Sequence, residues 1–139
     1  MRQAQARLTV ETGGGDLIDV TDRIALWLAG AGLNDGLLTV FCRHTSASLL
    51  IQENADPDVQ RDLIAFFRRL VPEGDPLYRH TAEGPDDMPA HVRAALTQTQ
   101  LQVPFERGRM VLGTWQGIYV FEHRRRPHRR ELVLHALGD

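Results

Sequence analysis

The sequence predicts an α+β fold, mostly antiparallel β-sheet layers carrying two or three helices. Three observations predict it. Short segments near both ends of the chain alternate apolar and polar residues, the period of half-buried strands. Three segments between them show helical spacing or helix-start residues. The chain has 139 residues, 42% of them hydrophobic, and shows no repeat or linker, so residues 1–139 are expected to form one domain around one core.

Residues 6–11 alternate and predict the first strand, Gly13, Gly14 and Gly15 a turn, and residues 17–20 a second short strand. Thr21 or Asp22 can cap a helix through Ile24, Ala25, Leu26, Trp27 and Leu28, ended by Gly30 and Gly32. Residues 36–42 form a near-continuous apolar run, expected to be a strand buried on both faces. Residues 48–52 predict a further strand. The clearest helix follows: Asp56 is the N-cap, and Pro57 stands at the first helical position, where its missing N–H costs nothing. Val59, Leu63, Phe66, Phe67 and Leu70 share one face, Arg61, Asp62, Arg68 and Arg69 point outward, and Pro72 stops the helix. Residues 72–86 lack periodicity and are long for a connection in a compact domain, which predicts a functional loop. Asp86 or Asp87 caps a short helix through Ala95. Strands are predicted at 100–104, 109–114, 116–123 and 129–137, with the arginine-rich stretch 123–130 read as a solvated hairpin turn.

The net charge of −2 gives no basic field, so no nucleic-acid partner is expected. No apolar run approaches the ~18 residues of a membrane span, and Met1 to Gln5 lead into a strand pattern without an apolar signal segment, so a cytoplasmic protein away from membranes is expected. The single cysteine, Cys42, excludes an internal disulfide and sits in an apolar run, where an inert buried thiol is expected. All 16 basic residues are arginine. Lysine Schiff-base chemistry is therefore excluded, and any phosphate must be held by arginine forks, backbone N–H groups or a metal.

His44 follows a buried strand, His80 lies in the long loop, and His91 is expected in the first turn of the short helix, where the helix dipole disfavours imidazolium. Three neutral imidazoles with an open fourth position make a catalytic zinc site. Their spacing places no two of them on one element, so hydrogen-bonded surface histidines are the alternative. Carboxylates at helix starts are ordinarily caps, the expected role of Asp56 and Asp87. Asn54, Glu83 or Asp86 could instead orient a histidine or hold Mg²⁺ through water. Thr45, Ser46 and Ser48 offer hydroxyls and approachable backbone N–H groups to an anion. Trp115 could stack on a planar heterocycle and Gln116 read its edge; packing in a core or an interface is the alternative for the tryptophan.

Three stretches, Arg43-His44-Thr45-Ser46-Ala47-Ser48, Glu83-Gly84-Pro85-Asp86-Asp87-Met88-Pro89-Ala90-His91 and Gly113-Thr114-Trp115-Gln116-Gly117-Ile118, with the Tyr78-Arg79-His80 element ahead of the second, resemble the YjbQ-like family over most of the chain. Glu122 also matches, while residues 123–126 depart from the Asp-Gly-Pro-Arg usual there. The resemblance implies a YjbQ-like fold, a homotrimer, and a shared catalytic and metal site of His44, His80 and His91 holding a divalent metal, zinc or magnesium. It implies a small phosphorylated substrate, which Thr45, Ser46, Ser48, Asn54, Asp86, Trp115 and Gln116 could hold by the chemistry given above. The implied activity is a secondary thiamine-phosphate synthase, joining an aminopyrimidine-methyl pyrophosphate to a thiazole phosphate with release of pyrophosphate. The rivals are a zinc-dependent hydrolase or lyase and a non-catalytic metal- or small-molecule-binding oligomer. Dedicated synthases are TIM barrels of ~250 residues, so a shared activity would stand on a different scaffold.

Overall fold

A computed structural model describes residues 1–139 as eight strands and three helices. In chain order these are β1 (Arg2–Glu11), β2 (Leu17–Asp19), α1 (Thr21–Ala29), β3 (Gly36–Cys42), β4 (Ala47–Glu53), α2 (Pro57–Leu70), α3 (Asp87–Leu96), β5 (Gln100–Glu106), β6 (Arg109–Met110), β7 (Gln116–Glu122) and β8 (Arg129–Gly138). A five-stranded sheet has the order β1-β8-β3-β5-β6 and a three-stranded sheet the order β2-β7-β4, every pairing antiparallel. The fold is α+β, as the alternation predicts. One buried cluster joins the sheets: Leu38, Val40, Leu132 and Leu134 come from the larger, Leu49, Ile118 and Val120 from the smaller, and Ile24 and Leu28 from α1. No helix is long and apolar enough to cross a membrane.

Asp56 caps α2 as its position predicts, accepting from Asp58 N–H at 2.9 Å. α2 itself is peripheral. None of its residues is fully buried, and its main aromatic contact is Phe67 edge-on to Phe121 of β7. α3 begins as expected after Asp86, yet the Asp86 side chain makes no cap bond, because Arg124 and the Arg125 N–H occupy it.

Three expectations are corrected. β3 is not buried on both faces: Leu38 and Val40 are fully buried, whereas Leu37 and Phe41 are 37% and 42% exposed. The outer face of the larger sheet, where Leu37 pairs with Leu137, is open in the single chain. The strand expected over 109–114 keeps only two residues. Opposite it, Pro104 accepts from Val111 N–H but has no N–H to return, and the chain then enters the Gly113–Gln116 turn. The basic stretch is not a solvated hairpin. β7 and β8 belong to different sheets, so residues 123–128 cross between them. His123, Arg124 and Arg130 are buried because the fully buried Glu122 carboxylate accepts from Thr12 Oγ1, Arg124 N–H and the Arg130 guanidinium. The β3–β4 connection crosses at the same place, tied by His123 N–H to the Ser46 carbonyl at 3.2 Å. These two crossings, with the start of α3, frame the site.

Candidate functional site

Residues at the end of the long connection and on α3 bring four potential ligands together. Atoms of His80, Glu83, Asp87 and His91 lie within 4.8 Å of one another. Asp87 is the centre: its Oδ2 is 2.6 Å from His80 Nε2 and 3.1 Å from His91 Nε2. Glu83 Oε2 lies 3.7 Å from His80 Nε2. Asp87 and His91 are one helical turn apart on one face of α3. Because the helix starts at Asp87, His91 stands in the second turn rather than the expected first.

The hydrogen bonds assign the His91 nitrogens. Its Nδ1 is 2.9 Å from the Thr45 carbonyl oxygen, which can only accept, so Nδ1 carries the proton. In neutral His91 the Nε2 lone pair then faces the Asp87 carboxylate, two acceptors in contact. Either a proton on Nε2 or a cation between the two relieves that contact. A backbone carbonyl fixing one nitrogen so that the other ligates is the usual outer support of a metal-binding histidine. The donor set, two imidazoles and two carboxylates, suits zinc or a similar divalent ion. Burial would raise the Asp87 pKa, but the hydrogen bond from His80 and the charge of Arg124 outweigh it, so the carboxyl stays ionised. Arg124 holds Asp87 Oδ1 at 2.8 Å, leaving Oδ2 to the histidines.

Of the histidine trio, His80 and His91 meet on Asp87. His44 stands apart in the single chain, with its Nε2 accepting from Glu131 N–H at 2.7 Å. Burial, then the charge of Arg130, depresses its pKa and keeps it neutral. Thr45 contributes its carbonyl to His91. Ser46 Oγ bonds Arg130, and Ser48 Oγ lies between His123 Nε2 at 2.8 Å and Thr97 Oγ1 at 2.5 Å, so both hydroxyls point inward. Asp86 accepts from Arg124 and Arg125. Asn54, Trp115 and Gln116 gather elsewhere: Asn54 N–H donates to the Trp115 carbonyl, and Gln116 Oε1 accepts from Gly113 N–H. The Trp115 side chain is open, the residue being 63% exposed, which sets aside a core role within one chain.

Sequence reasoning gave Asp87 only a capping role and left out His123 and Arg124. For Asp87 a signal existed, since an acid four residues before a histidine on a helix shares its face. For His123 and Arg124 none did, because their burial depends on a crossing between sheets that looks like a basic turn.

A profile of the family described as "UPF0047 protein YjbQ-like" matches residues 6–139. A UPF0047 protein of Synechocystis sp. is 53% identical over 138 residues, covering 99% of this chain and 94% of its own. The UPF0047 protein YjbQ of Escherichia coli O157:H7 is 40% identical over 136 residues, with 97% and 98% covered. A solved structure of an uncharacterized conserved protein of the yjbq/upf0047 family from Clostridium acetobutylicum superposes with a TM-score of 0.86 at 36% identity, over 95% of this chain and 99% of that one.

Proposed function

The chain belongs to the YjbQ-like UPF0047 family, and we propose that it is a divalent-cation-dependent enzyme acting on a small phosphorylated molecule. The observation that carries this reading is the convergence of His80, Glu83, Asp87 and His91 within 4.8 Å. An ion held there would neutralise charge on a departing phosphate or diphosphate. The chain's own groups do the rest. Arg124 fixes Asp87, the Thr45 carbonyl fixes His91, and His44, neutral beside Thr45, is the proposed proton carrier.

Within this class the proposed reaction is the thiamine-phosphate synthase-like transfer, with pyrophosphate leaving an aminopyrimidine-methyl group that a thiazole phosphate captures. Trp115 and Gln116 are its proposed heterocycle platform. A homotrimer is proposed with it, supported by the uncovered Leu37, Phe41 and Leu137. The mixed imidazole and carboxylate donors also favour a second reading, a zinc-dependent hydrolase.

One assay separates the two. Metal-loaded protein is given the pyrimidine pyrophosphate with and without the thiazole phosphate. A synthase releases pyrophosphate only when both are present; a hydrolase releases it from the first alone. Absence of turnover together with absence of stoichiometric cation binding would remove both.

A further inference from the structure

Arg68 of α2 and Arg93 of α3 line a cavity of about 540 Å³, together with His123, Arg124 and the Gly14–Gly15 turn. None of its lining residues is hydrophobic. Two of its arginines are satisfied by acids: Arg124 by Asp86 and Asp87, and Arg125 by Glu73. The other two are not. Neither Arg68 nor Arg93 has a carboxylate partner among the ion pairs, since the oxygens of nearby Asp86 are taken by Arg124 and Arg125. Arg93 spends an Nη2 proton on the Val71 carbonyl, while its buried Nε has no partner at all.

His123 adds an unmet polar atom. The residue is 2% exposed and its Nδ1 is buried without a partner. Thr97 Oγ1 donates its one proton to the Arg93 carbonyl at 2.8 Å, so it accepts from Ser48 Oγ, which in turn accepts from His123 Nε2–H and leaves Nδ1 as an unprotonated acceptor. Burial holds the ring neutral, with its pKa pushed down to about 3. A buried polar nitrogen with no partner costs free energy unless something fills the gap. Two guanidinium groups without carboxylate partners and a buried acceptor nitrogen match a phosphate group that keeps one proton. The glycine turn shapes the wall: Gly14 has φ +105°, and a Cβ there would overlap the Arg125 carbonyl.

We propose that this cavity binds the phosphate or diphosphate group of a small molecule through Arg68 and Arg93, with a protonated oxygen of that group donating to His123 Nδ1. It abuts the cation cluster, since Arg124 lines the cavity and also grips Asp87. The proposal rests on the preceding reading only for what molecule carries the phosphate.

Calorimetric titration with pyrophosphate, in chelator and at physiological salt, tests it on wild type, Arg68→Gln and Arg61→Gln. Arg61 is a solvent-facing arginine of the same helix. Pyrophosphate should bind the wild type, Arg68→Gln should weaken it about tenfold, the worth of one charge-assisted hydrogen bond, and Arg61→Gln should leave it unchanged. In ¹⁵N spectra the His123 Nδ1 resonance should move on saturation. Absence of binding, equal binding by Arg68→Gln and wild type, or an unmoved His123 signal overturns the site. Zinc titration of the same proteins without pyrophosphate stands separately: its failure removes the cation reading and leaves anion binding in place.

Discussion

At one end of the β4–β7 ladder Ala47 pairs with Glu122, and the residues beyond it, His123 and Arg124, are charged or polar and buried. At the other end Glu53 pairs with Gln116, and the residue before it, Trp115, is large, apolar and exposed. The first end places polar groups where water cannot reach them, so each must find its partner inside the chain. The second exposes a surface that nothing in the chain covers. Six ladder steps, about 20 Å at 3.3 Å each, separate them. Both carry residues that the sequence marks for function, yet they risk different things. Substitution at the buried end threatens the fold as well as the site, whereas at the exposed end it threatens only what binds there.

The largest test of this contrast is Glu122→Gln. It leaves Arg130 buried, 5% exposed, beside a neutral amide. Breaking a buried pair from one side costs about 3–5 kcal/mol, so denaturant unfolding should show a loss of that size.

Acid should act next. The unfolded chain takes up a proton at an ordinary histidine pKa near 6.5, but His123 in the folded chain resists until about 3. Stability therefore falls as pH drops through that window, by about 3 kcal/mol between pH 7 and pH 4. Asp86, Asp87 and Glu122, whose folded pKa values are depressed, add a loss below the ordinary carboxylate range. A His123→Gln variant should lose most of the upper part of the slope in melts at pH 7 and pH 4, the remainder belonging to His44, whose pKa burial also depresses, and keep the lower part.

Asp87→Asn comes third. It removes the shared charge between His80 and His91, and zinc affinity should fall by about 100-fold in competition with a chelating dye. The smallest effect belongs to the exposed end. Trp115→Ala should change stability by less than about 0.5 kcal/mol in thermal melts while weakening a bound heterocycle about tenfold. A large stability loss there would erase the contrast between the two ends.

Local signals carried most of the elements. The Asp56-Pro57 start of α2, the alternation of β5 and β8, and the break at Pro72 each follow from the residues that make them. Pairing between strands was less legible. Nothing local to β7 or β8 states that they enter different sheets, and that choice buries the 123–130 stretch. It also sets where His44 lies, one residue from the Thr45 carbonyl that holds His91. Among candidate residues, His80 and His91 stood out by type, whereas Arg68 looked like an ordinary outward arginine and Arg93 drew no reading at all until the cavity between their helices gave them a common object.

The strand order of the larger sheet has a consequence for how the molecule is made. β8, the last strand of the fold, lies between β1 and β3, both of which leave the ribosome earlier. Until it arrives, β1 has no partner and β3 presents one unpaired edge, with Leu38 and Val40 on the face that later becomes core. The sheet is completed by its most sequence-distant contacts, a topology that slows folding and lengthens the time a nascent chain spends with open edges. During synthesis the greatest hazard therefore lies in the scaffold, before the site that it carries has formed.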